Sequence, residues 1–398
     1  MAQGSRQCAL SGIRTELCFM FARLACVPLL ACLCSSHGQH NAHYDTQASF
    51  LQLAVTIAEN VSSPDLETQS DLHGLISSLL QAKKVCPRAT EDCLPILTDL
   101  RKQLWPRVQN AANWSGGAWL PLGIDSEQAI GTVPCSASND TTLYYRHIWK
   151  SAGHNVFENL EQISTAYRQN ELSCTDFCED FLRDGDVRKA AFTFVRDPIT
   201  RFISGYAEIE HRIREGQYTE LANALSGHAQ GSRQRAAAFF EEFLRDGVGR
   251  DGHVKPQLEF MIPCGGCSVP LDFLGRVENM ENDWKRLLVK QDCTASAFDA
   301  FDDSLGLHPN DVTDKLAMEK VLGVPLDDVT LAPQESEVIS LAESTDMNAI
   351  VLALRQNSAR YLNALCWLLL PDFVAFGYEL PLECSQALVL HRYAKSHT

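Results

Sequence analysis

The 398-residue chain is short of positive charge: 34 Lys and Arg stand against 50 Asp and Glu, a formal net charge of −16. That balance excludes a protein that coats nucleic acid over its whole surface, while leaving room for a local basic pocket that holds an anion. No Gly-X-Y tract, low-complexity stretch or internal repeat is present, which excludes a fibre. With 45% hydrophobic residues the chain also differs from disordered sequences, which are poor in apolar residues. No Gly-Lys-Ser/Thr closes a glycine-rich loop, so there is no Walker A loop and a P-loop phosphotransferase is disfavoured. Cys264-Gly-Gly-Cys267 has no second CxxC partner, and Cys174 and Cys178 are wrongly spaced to supply one. A four-cysteine zinc site therefore lacks half its ligands, and no metal is expected.

What is present begins with size and cysteine. At about 100–200 residues per domain, the length suits one large domain or two ordinary ones. A core of that size needs no disulfides merely to exist. Yet there are 15 cysteines, five of them at positions 8, 18, 26, 32 and 34. The other ten form an even set that fits disulfides in an oxidising compartment, with a pairing that sequence does not reveal.

Arg6 and Arg14 precede the apolar run Leu24–Cys34, and Leu17–Ala22 adds more before Arg23 interrupts. Residues 1–36 are read as a signal peptide or as a signal anchor that just spans a bilayer, with a buried core helix as the bland alternative. Three glycosylation sequons follow, at Asn60, Asn113 and Asn139, which also suit the secretory route.

Residues 37–140 are expected to form a helical stem or flanking region. Phe50, Leu53, Ile57 and Val61 recur at helical spacing, as do Leu72, Leu75, Ile76, Leu79 and Leu80. Asn113–Thr142 is rich in Gly, Ser and Asn and reads as linker or surface loops. From 141 to 393 the pattern becomes strand, loop, helix: Leu143–Trp149 runs into Lys150-Ser-Ala-Gly153 and a helix from Asn155. Ala190–Val195 then runs into Arg196-Asp-Pro198 and a helix from Ile199. Such units imply an α/β fold with a P-loop-like central parallel sheet flanked by helices. Ligands bind such sheets at the carboxyl ends of the strands. Residues 303–345, with nine acidic residues against two lysines, read as a solvated, weakly core-forming insertion.

The two loops carry the chemistry. Small residues after Lys150 let backbone approach a bound group, and N–H groups at the helix start favour an anion there. Lys150 is placed to neutralise a phosphate or sulfate oxygen; a plain surface turn is the alternative. Arg196 ends a strand, and Ser204 lies two turns into the next helix. A guanidinium and a hydroxyl so arranged can grip a second phosphate, whereas the bland reading pairs Arg196 with Asp197. Pro198 suits the first helical turn.

Together these residues resemble the sulfotransferases that use 3′-phosphoadenosine 5′-phosphosulfate (PAPS). Their 5′-phosphosulfate loop reads Pro-Lys-x-Gly-x-Thr or Lys-Ser-Ala-Gly-Thr. Their 3′-phosphate motif, Arg-Asp-Pro-x-x-Arg-x-x-Ser-x-Tyr, is matched at Arg196, Asp197, Pro198, Arg201, Ser204 and Tyr206. Further likeness points to the Golgi carbohydrate branch (sulfotransferase family 2). It lies in His253-Val-Lys-Pro-Gln257, in Cys264–Cys267 followed by Leu271-Asp-Phe-Leu-Gly275 and Glu278, and in Tyr361 with Pro371–Tyr378. Two positions depart from the pattern: His154-Asn155 stand where relatives carry Thr or Ser, and Trp149 replaces Pro.

The resemblance implies transfer of a sulfuryl group from PAPS, as co-substrate and without metal, to a carbohydrate hydroxyl in the Golgi lumen. The membrane would be reached through the N-terminal segment, as a single-pass type II protein, or the chain would be secreted after cleavage. Backbone groups of Ser151, Ala152, Gly153, His154 and Asn155 would hold the 5′ end, with Lys150 stabilising charge on the departing phosphate. Arg196 and Ser204 would hold the 3′-phosphate. His253 is the first candidate for general base, against a packed histidine; Glu208, Glu210, His211 and His154 are others. The alternative is a non-catalytic relative that binds nucleotide or glycan, suggested by His154-Asn155.

Overall fold

The computed structural model describes residues 66–114, 127–135, 141–164, 166–183, 187–246, 251–263, 268–293, 338–356, 360–381 and 384. All lie within one compact unit, Ser49–Thr398. The N-terminal leader, the sequons at Asn60 and Asn139, and the Cys264–Cys267 pair fall outside the described residues, as does most of the acidic stretch.

Five strands form one sheet: β1 (Glu127–Pro134), β2 (Thr141–Arg146), β3 (Arg168–Ser173), β4 (Arg188–Val195) and β5 (Phe273–Arg276), in the order β3-β1-β2-β4-β5. Pairs β2–β4 and β4–β5 are parallel, and β1 is antiparallel to both its neighbours. Four of the five strands thus run one way, and the sheet is mostly parallel, as the α/β reading requires.

The alternation of side chains along the strands explains the layers. Leu143, Tyr145, Phe192 and Phe194 face one side. They pack there on Val156, Phe157 and Leu160 of α3 (Gly153–Ile163) and on Trp284, Leu287 and Leu288 of α8 (Met280–Lys290). Tyr144 and Ala191 face the other way, toward Phe177 of α4 (Cys174–Leu182).

A larger helical core joins α1 (Leu66–Val85), α2 (Cys93–Ala112), α5 (Pro198–Arg214), α6 (Thr219–Leu225), α7 (Arg233–Asp246), α9 (Val338–Gln356) and α10 (Tyr361–Phe376). Helix α10 is apolar nearly all round, which fits its central burial. Leu75, Leu79, Leu97, Leu100 and Leu104 of α1 and α2 share this core with Leu365, Leu369 and Phe373 of α10. Helices α1 and α2 therefore form an integral layer of the fold.

Two sequence expectations need correction. Residues 113–142 are not all linker, because β1 occupies 127–134 in the middle of the sheet. Its sequence, EQAIGTVP, alternates poorly, and Gly131 sits where any Cβ would overlap Leu160 and Phe157. The strand is thus selected by tertiary packing and its pairing with both neighbours. The acidic stretch also ends inside α9, whose Met347, Ile350, Val351 and Leu354 are buried.

Disulfides Cys86–Cys93, Cys135–Cys293 and Cys366–Cys384 are formed, and Cys178 is also disulfide-bonded. They respectively close the turn between α1 and α2, tie the end of β1 to the end of α8, and anchor α10 to the segment after it. Among the described residues, no helix is long and apolar enough to cross a membrane.

Candidate active site

Strands β2 and β4 are parallel neighbours, so the loops leaving their carboxyl ends emerge on the same edge of the sheet. After β2, Lys150 and Ala152 take left-handed backbone angles, φ 64° and 56°, with Ser151 between them outside that region. Each such angle costs a residue with a Cβ about 1–2 kcal/mol. Alternating handedness of this kind turns successive N–H groups toward one concave side, a shape suited to an anion. Helix α3 then starts at Gly153, and Ala152 at its N-cap supplies no side-chain cap. The first-turn N–H groups have no preceding helical carbonyl to meet, and the helix dipole adds positive potential there.

The supports of the strained loop are specific. The Ser151 N–H donates to the Ile148 carbonyl at 3.1 Å, so this one amide of the five expected at the 5′ end already has a partner. The buried Ser151 hydroxyl donates to Gln257 Oε1 at 3.2 Å. Arg201 Nε donates to the Trp149 carbonyl at 2.8 Å. Gly153 has a different reason from the one expected: a Cβ there would overlap the imidazole of His147. Burial, with the nearby cations, pushes the His147 pKa down to about 3 and keeps that ring neutral beneath the loop.

After β4, the loop is held by the same glutamine. Gln257 Oε1 accepts the Arg196 N–H at 2.9 Å, and Gln257 Nε2 donates to the Arg196 carbonyl at 2.7 Å. Arg196 Nη1 reaches the Lys150 carbonyl at 3.4 Å. One fully buried amide thus joins the two loops. Gln257 is itself set by Asp372 of α10, whose carboxylate accepts the N–H groups of Gln257 and Leu258 at 2.7 and 3.0 Å. Asp197 feels the Arg196 charge, and its carboxylate is also built into the helix start. Its Oδ1 caps α5 by accepting the Thr200 N–H at 2.9 Å, while its own N–H donates to Glu278 at 2.6 Å. Tyr378 donates to Glu278 at 2.8 Å. The distant motif segments therefore converge as scaffolding around Val195–Asp197.

Arg201 is also scaffold. Its guanidinium is 1% exposed and donates to the carbonyls of Trp149, Gly252 and Lys255. It fastens the β2 loop to the 252–255 segment and is not left to meet a ligand. Lys255 is equally buried, its ammonium 4.0 Å from the Phe260 ring centre. Gly205 lets the 252–255 segment cross α5, since a Cβ would overlap the His253 carbonyl.

A polar cluster lies beside the β2 loop. Lys150 Nζ is 3.3 Å from Glu208 Oε2, with the two side chains 21% and 20% exposed. Glu208 stands four residues after Ser204, so both lie on one face of α5; Ser204 itself is buried. Arg212 Nε donates to Glu208 at 2.7 Å. Burial raises the Glu208 pKa, but Lys150, the Arg212 hydrogen bond and His253 outweigh it and bring the pKa down to about 2. His253 Nε2 lies 3.9 Å from the same carboxylate, and its Nδ1 is 2.6 Å from Asp251 Oδ1. The His253 ring meets Trp149 edge-on at 4.4 Å. His253 is therefore both packed and held in a carboxylate dyad.

The remaining candidates separate from this cluster. His154 is 66% exposed and pairs with Glu158 at 2.9 Å, so its imidazole does not take the place of the missing hydroxyl. Asn155 Oδ1 accepts from Asn159 at 3.0 Å. Glu210 is fully buried against Arg235 at 2.8 Å, and His211 pairs with Glu215 at 3.4 Å. Asp251 lies just before the His253–Gln257 motif, where no sequence signal marks it. Gln257 is marked in sequence only as part of that motif, because its bonds need three chain segments at once. The place of Glu208 beside the loop follows from its i+4 relation to Ser204. Among the described residues, no group of three His, Cys, Asp or Glu is arranged to hold a metal ion.

Comparison with known proteins adds one match. Residues 136–299 fit the model described as "Sulfotransferase family", a span containing Lys150, Arg196, Ser204 and His253. No curated protein and no solved structure matches the chain. The matched span holds both anion-suited loops and four of the five strands of the mixed α/β sheet, and over that span the chain is similar to the sulfotransferase family, which supports sulfuryl transfer as the general chemistry.

Proposed function

We propose that the protein transfers the sulfuryl group of PAPS to a carbohydrate hydroxyl in the Golgi lumen, either held by its N-terminal segment as a single-pass type II protein or released after cleavage. The observation that carries this reading is Gln257, which joins the Lys150 loop and the Arg196 loop at a set spacing. Two anion sites held apart by one buried amide suit a ligand with phosphate groups at both ends. The disulfides support a secretory compartment.

The reaction forms a bond from the acceptor oxygen to sulfur and breaks the bond from sulfur to the 5′-phosphate oxygen. Positioning and charge stabilisation supply most of the catalysis in such transfers. Amides at the start of α3 orient the sulfuryl end. Lys150 exchanges Glu208 for the developing negative charge on the leaving phosphate. Arg196 and Ser204 set register through the 3′-phosphate. His253 Nε2 takes the proton of the acceptor hydroxyl, a step typically worth about 10²–10⁴-fold. The test is sulfate transfer from labelled PAPS across chondroitin, dermatan, heparan and small sugar acceptors. Product on a glycan is expected, and absence of product on all of them overturns the reading.

A second reading, a non-catalytic nucleotide- or glycan-binding relative, is favoured by the outward turn of His154. Calorimetry with 3′-phosphoadenosine 5′-phosphate separates the two, since binding without turnover belongs to the second.

A further inference from the structure

We propose that Asp251 is a positioning residue that holds His253 in one tautomer and one orientation, making Nε2 the proton-accepting atom of the site. This rests on the reading of His253 as general base.

The geometry is a chelate around one carboxylate. Asp251 Oδ1 accepts the His253 backbone N–H at 2.8 Å and lies 2.6 Å from His253 Nδ1. Asp251 Oδ2 accepts the Tyr218 hydroxyl. Burial raises the Asp251 pKa, but the bonds to His253 and Tyr218 outweigh it and hold the group ionised. An ionised carboxylate only accepts hydrogen bonds, so Nδ1 carries the donated proton and the neutral ring keeps its lone pair on Nε2. Among the described residues Nε2 has no hydrogen-bond partner: the Glu208 carboxylate oxygen beside it is 3.9 Å away, beyond hydrogen-bond range. That places the basic nitrogen on the side of Glu208 and Lys150, where the acceptor hydroxyl and sulfuryl group are expected. The ring cannot swing freely, because Trp149 packs edge-on against it and Gly205 brings its backbone onto α5.

The charged and titratable groups that face His253 are Asp251 on its own segment, Glu208 and Arg212 on α5, and Lys150 and His147 from the β2 loop. Tyr218, before α6, adds its hydroxyl through Asp251. Burial lowers the His253 pKa, Asp251 and Glu208 raise it, and Arg212 lowers it. Turnover needs the neutral ring, so the acid limb of the rate profile follows His253. Removing the Asp251 charge removes a factor that raises that pKa, and the limb then moves to lower pH.

The experiment is a kcat, KM and pH-profile comparison of wild type, Asp251→Asn, Asp251→Glu and His253→Ala with labelled PAPS. Asp251→Asn is expected to lower kcat by about tenfold or more, within the range of a general base. It should shift the acid limb to lower pH and leave the nucleotide KM near wild type, with Asp251→Glu recovering part of kcat. His253→Ala should lose turnover. If His253→Ala loses turnover while Asp251→Asn keeps wild-type kcat and an unmoved acid limb, the assignment of Asp251 is overturned and His253 stands. If His253→Ala retains wild-type turnover, the base reading falls first. Should Asp251→Asn fail to fold, ¹⁵N-histidine NMR of the wild-type protein decides. An unprotonated Nε2 on the neutral ring is expected, and a protonated Nε2 overturns the proposal.

Discussion

Replacing Gln257 with methionine tests the joint between the two loops. The side chain is fully buried, and methionine nearly preserves its volume, so cavity effects stay small. What disappears is the bond from the Ser151 hydroxyl and the bonds to both the N–H and the carbonyl of Arg196. At about 1 kcal/mol net each, three hydrogen bonds amount to about 3 kcal/mol, and buried partners left unpaired raise the loss toward ~5 kcal/mol. At about 2 °C per kcal/mol for a large domain, the melting temperature falls by roughly 6–10 °C. The Lys150 loop, whose two left-handed residues need external support, then relaxes. Affinity for 3′-phosphoadenosine 5′-phosphate is expected to fall at least about tenfold, or ~1.4 kcal/mol. Differential scanning fluorimetry and isothermal titration read the two effects separately. A large drop in melting temperature with unchanged nucleotide affinity refutes the coupling of the loops through Gln257. If neither quantity moves, the hydrogen-bond network itself is refuted.

Other perturbations test other parts. Lys150→Ala should abolish transfer from labelled PAPS while costing ~1 kcal/mol of stability or less, because its partly exposed pair with Glu208 is weakly stabilising; retained turnover removes Lys150 from the reaction. Arg196→Ala should weaken binding of 3′-phosphoadenosine 5′-phosphate more than binding of an analogue without the 3′-phosphate, and equal losses place Arg196 elsewhere. The Glu208 pKa is depressed to about 2 in the fold, below its ordinary 4.5. Its stabilisation is therefore complete above pH 4.5 and lost as pH falls through 2. In urea titrations wild type should lose more stability than Glu208→Gln across that window, and parallel curves contradict the sign. Changing both Cys135 and Cys293 to alanine opens a bridge spanning 158 residues and should cost about 2–5 kcal/mol, read as a fall in the urea midpoint.

Much of the site was legible locally. Arg196 directly follows β4 and Lys150 lies in the turn after β2, because short apolar strands followed by small or helix-starting residues define a parallel α/β edge. The reach from Arg196 to Ser204 is a matter of helical repeat. Charge roles were harder to read. Arg201 and Lys255 look like available cations in sequence, yet both are buried, one on three carbonyls and the other against Phe260. Glu208, a candidate base by sequence, instead pairs with Lys150. Strand β1 was hidden because pairing on both sides and packing on Leu160 and Phe157 decide its conformation, whereas its own residues state no clear period.

By itself the sequence determined the α/β class, the positions of the two anion-suited loops and the resemblance that they carry. Those properties arise from residues within about a dozen positions of one another, where backbone propensity and hydrophobic period act directly. Only the tertiary structure decided which polar groups are buried in the frame and which stand partly exposed beside the two loops. Gln257, Asp372, Glu278 and Tyr378 lie 60 or more residues from the loops they hold. A buried hydrogen-bond donor takes whichever acceptor folding brings to it. That partner is a property of packing and is not encoded in any one segment.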